Sequence, residues 1–167
     1  MGRLDLESRL GKAPGGYNMP LPETGIPFVF MNHACLEYDV RVLVHEAGHA
    51  VHSFISHELS HDWMKDTPSE VAELASMSME LFTMEHWEHF YPNPEDLKRA
   101  KRNHLEGLLT TLPAVARIDS FQHWTYTNPG HSARERHAAW LDLTRRFTSH
   151  VFDTSGLEKF DAVNYQR

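Results

Sequence analysis

A mainly helical chain with a small β-sheet near its N-terminus is predicted by three features of this 167-residue sequence. Glycine, proline and short apolar stretches crowd residues 1–32. Apolar residues recur at helical spacing from Asp39 onward, and helix-capping signatures punctuate the remainder. With 41% hydrophobic and 23% charged residues, and no composition shift or low-complexity linker, the expectation is one domain over 1–167.

The alternating apolar residues of Leu4–Leu10 and the run Pro27, Phe28, Val29, Phe30, Met31 read as short strands joined by turns. From Asp39 to about His57, Val40, Leu43, Val44, Ala47, Ala50, Val51, Phe54 and Ile55 form a wide apolar stripe, which predicts a buried helix. Thr67, Pro68 and Glu70 read as an N-cap, a first-turn proline and a capping-box partner, opening a second helix to about His89. Asn93 with Pro94 opens a third. Pro113 should break or kink it before a further helical stretch to about Tyr126. After a turn at Asn128, Pro129 and Gly130, Ser132 and Glu135 form a capping box for a helix to about His150. The tail beyond Asp153 carries no clear pattern.

Sixteen Lys and Arg against twenty-three Asp and Glu give a net charge of −7, a field that repels phosphate backbones and argues against a nucleic-acid partner. No apolar run reaches membrane-spanning length, and Met1–Asp5 lacks the build of a signal peptide, so no membrane association and a cytoplasmic setting are expected. The single cysteine, Cys35, has no CxxC partner, so any metal must be held by nitrogen and oxygen. Thirteen histidines, five of them between His45 and His61, raise the metal question.

His45-Glu46-Ala47-Gly48-His49 is an HExxH sequence inside the first helix. Residues four apart lie one turn up and about 40° round, so both imidazoles can face one ion while Glu46 reaches a water beside it. This is the zincin hydrolase arrangement. A catalytic zinc needs a third protein ligand and an open position. The extended pattern that supplies a third histidine fails, because its place is taken by Ile55. A glutamate on the second helix is the other solution. Glu73 is favoured over Glu70, whose capping position gives it a structural task.

A second HExxH, His57-Glu58-Leu59-Ser60-His61, has Glu85 at the matching distance. It runs into Asp62, Lys65 and Asp66, where the helix is ending and rigid support for ligands is lacking. The first motif is preceded by an apolar run and contains Gly48, which lets a neighbouring backbone come close. His52 falls one turn beyond His49, too far along the axis to join the same ion, and is expected to pack or to support a ligand. Met77 and Met84 read as core filling, Lys98, Arg99, Lys101 and Arg102 as a solvated face, and Trp124 and Tyr126 as core or cleft-edge residues.

Gly11-Lys12-Ala13-Pro14-Gly15-Gly16-Tyr17, Pro27-Phe28-Val29-Phe30-Met31-Asn32, Val44 to His52, Ala72 to Leu81 and Phe121-Gln122-His123-Trp124-Thr125-Tyr126 together resemble oligoendopeptidase F and the thimet-oligopeptidase relatives. The resemblance implies a zincin-like catalytic-domain fragment, one zinc held by His45, His49 and Glu73, Glu46 as general base, and short peptides cut at internal bonds. Glu80, seven residues beyond Glu73 on the same helix face, could accept a hydrogen bond from a ligand imidazole. Enzymes of this kind are several times longer. Their downstream His and Tyr residues, expected to donate to the oxyanion, have no counterpart before Arg167. Metal binding without turnover, and self-association through apolar surface exposed by truncation, are therefore expectations for this segment alone.

Overall fold

The computed structural model describes residues 3–149, 151, 153, 155–161 and 164–166. Three short strands, β1 (Leu4–Glu7), β2 (Tyr17–Met19) and β3 (Phe28–His33), form a sheet in the order β1-β3-β2. β1 runs parallel to the central β3, and β2 runs antiparallel to it with Tyr17 opposite Phe30. Four longer helices follow: α1 (Glu37–His57), α2 (Ser69–Thr83), α3 (Pro94–Thr127) and α4 (Ala133–Phe147). The chain divides into two compact units, residues 1–102 and 103–167. Among the described residues no helix is long and apolar enough to cross a membrane.

In the first unit, two polar side chains fix the loop that leads from β1 into β2. The ammonium of Lys12, whose side chain is only 2% exposed, donates to the carbonyls of Asp5 (3.0 Å), Glu7 (2.8 Å) and Met31 and lies over the Phe30 ring. Asn32 on β3 donates from Nδ2 to the carbonyls of Ala13 (2.8 Å) and Gly15 (3.0 Å). These two residues supply donors to loop carbonyls that no strand partner reaches. The result holds Gly16 and β2 beside α1.

α1 begins two residues before the predicted Asp39. Asp39 instead reaches back, its Oδ2 accepting from the backbone N–H of Leu36 (2.9 Å) and of Ala34 (2.8 Å), which satisfies donors that a helix start leaves open. Val44 on α1 packs with Trp87 and Ala100, joined by Val40, Met84 and Leu97, to form the buried cluster of this unit.

The expected cap of α2 is replaced. Helix begins at Ser69 with Pro68 at the cap position and no side-chain cap, so Thr67 lies one residue too early and its hydroxyl turns to Lys65 O instead. Glu70 is left as an exposed acidic residue in the first turn, where the helix dipole favours it. α2 also stops at Thr83 rather than continuing to His89. Residues Met84–His89 wind more tightly as a 3₁₀ segment, within which Trp87 turns into the core and donates its indole N–H to Thr83 Oγ1 (3.3 Å).

α3 runs without a break through Pro113. Proline removes the hydrogen bond to the carbonyl four residues earlier, but Leu109 is exposed, so water can solvate that carbonyl while the flanking turns persist. Of the expected solvated face, Lys98, Arg99 and Arg102 are exposed and Lys101 is half-buried.

In the second unit, Trp140 meets Phe121 edge-on (5.0 Å) and donates its indole N–H to Asp161 O (2.7 Å), with the Arg117 guanidinium over its ring. Ser132 and Glu135 make the reciprocal cap of α4. The predicted end of that helix, His150, falls outside the described residues. Tyr126 is exposed rather than packed, and Trp124 stacks on Phe121 within this unit.

Candidate metal centre

His45 and His49 project from the same face of α1, one turn apart, with ring centroids 4.9 Å apart. The antiparallel-style return through residues 58–68 brings α2 back across α1, and Glu73 in its second turn meets both rings. Oε2 of Glu73 lies 3.2 Å from His45 Nε2, and Oε1 lies 3.7 Å from His49 Nε2. One donor atom from each of the three residues falls within 4.8 Å of the others. Among the described residues they are the group so placed; Glu70, the competing carboxylate, is not in it.

The close approach of the two helices depends on Gly48. A methyl group built there would stand 2.9 Å from the Cα of Ser76 and 2.9 Å from the Cβ of Met79, inside any ordinary contact. Ser76 is completely buried against it. Its hydroxyl lies 3.0 Å from Glu73 O and 3.3 Å from Glu73 Oε2.

Glu46 is 7% exposed and its Oε2 has no hydrogen-bond partner among the described residues. Burial raises its pKa above the ordinary carboxylate value. The negative charge of Glu73 adds to this, while His45 and the backbone N–H of Asn18 oppose it. Gly16 stands against this carboxylate, where an added Cβ would come 3.3 Å from Oε1.

Glu80, on α2, accepts a 2.7 Å hydrogen bond at Oε1 from His45 Nδ1. That bond raises the pKa of His45, reinforced by the charges of Glu80, Glu73 and Glu46 against the effect of burial. Among the described residues no carboxylate pairs with the other ring nitrogen of His49, and burial followed by the charge of His45 lowers its pKa. With Nδ1 bonded to Glu80, Nε2 is the nitrogen that His45 turns toward Glu73 and the cleft. His52 does not support a ligand through a hydrogen bond among the described residues. It lines the cleft instead.

That cleft, about 780 Å³, lies between α1, the 16–27 segment, and the α1–α2 connection with the start of α2. His45, Glu46, His49 and Glu73 line it together with Gly16, Asn18 and His57. The Glu73 side chain, 54% exposed, borders the opening. Among the described residues the second HExxH joins no such group of donors. His57 is the last residue of α1, Glu58 is its C-cap, and His61 lies outside the helix, its ring parallel to Trp63. His57 packs against Gly25, whose positive φ of 64° admits the turn there. Cys35 is exposed in a positive-φ bend near His33 and takes no part in the cleft.

Two imidazole nitrogens and one carboxylate form a nitrogen–oxygen donor set suited to a hydrolytic zinc. One donor atom from each residue lies within 4.8 Å of the others, close enough for small side-chain adjustments to bring all three to one ion bound at ~2.1 Å. The orphaned Oε2 of Glu46 beside that set is a second mark of fit, since buried carboxylate oxygens ordinarily find a partner. Residues to which no spacing argument assigns a part also shape the centre. Gly16, Asn18 and Ser76 are ordinary in type and spacing, and only the tertiary approach of β2 and α2 gives them their places.

The model of peptidase family M3 matches residues 1–162. Among solved structures, the chain is similar to PZ peptidase A with an inhibitor, at 33% identity and a TM-score of 0.77 over 95% of this chain and 28% of that one. It is similar to a Bacillus anthracis protein designated oligoendopeptidase F at 33% identity and a TM-score of 0.74, covering 98% of this chain and 29% of that one. A further oligoendopeptidase F structure, from crystals grown by microfluidic seeding, gives the same identity, coverage and TM-score. The chain thus spans less than a third of the length of these structures. No curated protein matches it.

Proposed function

The chain belongs to peptidase family M3, and from that membership we propose that it is the metal-holding part of a zinc metalloendopeptidase that hydrolyses internal bonds of short peptides. The observation that carries this reading is the convergence of His45, His49 and Glu73 beside the buried, unpartnered Oε2 of Glu46.

His45 and His49 would hold the zinc through Nε2 and Glu73 through its carboxylate. When bound, zinc supplies a Lewis acid for the scissile carbonyl and lowers the pKa of the attacking water. The Glu46 carboxylate would accept a proton from the attacking water and return it to the leaving amine nitrogen; burial strengthens it as a base. Glu80 keeps His45 in the tautomer that presents Nε2. Gly16 and the backbone N–H of Asn18 confine the Glu46 carboxylate.

A second reading is favoured by the short span of the match: a metal-holding segment that does not turn over substrate by itself. Cleavage of an internally quenched peptide by the zinc-loaded chain, lost in Glu46→Gln while zinc is retained, supports the peptidase. Stoichiometric zinc with no cleavage, either alone or joined in cis to the remainder of a matching full-length peptidase, supports the second reading. Failure to bind zinc at all contradicts both.

A further inference from the structure

We propose that Ser76 is a positioning residue for Glu73, its buried hydroxyl selecting the carboxylate orientation that faces the two histidines. The inference rests on the metal-holding reading of the site and adds to it a residue that touches neither ion nor substrate. Ser76 is fully buried at the contact between α1 and α2, where nothing but Gly48 leaves room for its backbone. A hydroxyl in such a place needs an acceptor. Two are within reach, the Glu73 carbonyl at 3.0 Å and Glu73 Oε2 at 3.3 Å.

The carbonyl bond alone would be the usual back-bond of a helical serine. The second contact is what links Ser76 to the centre, because the same Oε2 stands 3.2 Å from His45 Nε2. Glu73 needs such a restraint more than the histidines do. Its side chain is 54% exposed and has three torsions, so without a partner inside the fold it would spread over several rotamers at the cleft mouth. His45 already has Glu80. Ser76 gives Glu73 an anchor on its own helix, three residues on, fixed in turn by the Gly48 contact.

The test is zinc and cobalt binding by the wild-type chain and by Ser76→Ala, with unfolding of the metal-free proteins measured alongside. The expected result is a ~10- to 100-fold weaker zinc affinity by chelator competition, as for loss of other supporting hydrogen bonds around metal ligands. The visible absorption of the Co²⁺-loaded protein should change, because the carboxylate then binds in a different geometry, while metal-free stability changes little. Should Ser76→Ala fold poorly, Ser76→Cys, somewhat larger than serine and a weak donor, should fall between wild type and alanine in affinity. Unchanged affinity and an unchanged cobalt spectrum in a folded Ser76 variant overturn the proposal while leaving the metal centre standing. Absence of His45-dependent zinc binding in the wild type overturns the centre itself, and Ser76 with it.

Discussion

Replacing Gly48 by alanine separates local helix preference from tertiary fit, because the two effects have opposite signs. In an exposed helix interior, Gly→Ala stabilises by about 1 kcal/mol. At this position the new methyl would sit 2.9 Å from both Ser76 Cα and Met79 Cβ, about 0.5 Å inside the 3.4 Å at which ordinary contact begins. One of those atoms is backbone, so the strain cannot be relieved by turning a flexible side chain; α2 has to move. Overpacking of this kind costs about 1–3 kcal/mol, which leaves a net loss of up to about 2 kcal/mol once the propensity gain is subtracted. The movement falls between His45, His49 and Glu73, whose donors need placement within about 0.5 Å. Urea unfolding of the metal-free chain should therefore show Gly48→Ala at or below wild-type stability, and zinc affinity should fall ~10-fold or more. A variant stabilised by about 1 kcal/mol with unaltered zinc affinity would mean that α2 does not lean on Gly48 at all.

Three further outcomes follow from named contacts. Glu80→Gln keeps the shape of the side chain but removes the charge that orients His45, and zinc competition should show affinity reduced by ~10- to 100-fold; an unchanged affinity would deny Glu80 that role. Lys12→Met leaves the carbonyls of Asp5, Glu7 and Met31 without their donor and should lower stability by about 2–4 kcal/mol in thermal or urea unfolding, against a surface-like change below about 0.5 kcal/mol if the ammonium ties nothing together. Tyr91, whose hydroxyl donates to Glu37 O at 2.9 Å, has its pKa pushed up to about 12, mainly by burial and then by the charges of Glu37 and Asp39. Between pH ~10, where an unfolded tyrosine ionises, and about 12, the folded chain keeps a proton that the unfolded chain releases, so stability should fall as pH rises through that window. Tyr91→Phe should flatten that alkaline slope, and an unaltered slope would remove Tyr91 as its source.

The sequence carried the helices and the His45–His49 pair because both are written in short-range periodicity, which survives whatever the rest of the chain does. Strand positions are readable only roughly: β2 is three residues long, and the loop that leads into it is fixed by Lys12 and Asn32, side chains whose partners lie 5–19 positions away in sequence. The start of α2 was misread at Thr67 because Pro68 takes the cap position itself, and its end was misread because the demand to bury Trp87 tightens the winding after Thr83. Pro113 shows the converse, a local breaking signal absorbed where a neighbouring carbonyl is open to water. Glu73 could be picked from Glu70 by counting residues through a return, and the structure brings Glu73 to the histidines. Ser76 and Gly16 could not be found that way, since their parts come from how closely two elements pack.

Zinc titration of the metal-free chain beside His45→Ala, His49→Ala, Glu73→Gln and His57→Ala bears on the site most directly. One zinc per chain is expected for the wild type and for His57→Ala, with binding abolished or weakened by orders of magnitude in the other three. Zinc retained by His45→Ala and Glu73→Gln but lost with His57→Ala would place the ion elsewhere and remove the basis for every role assigned around α1 and α2.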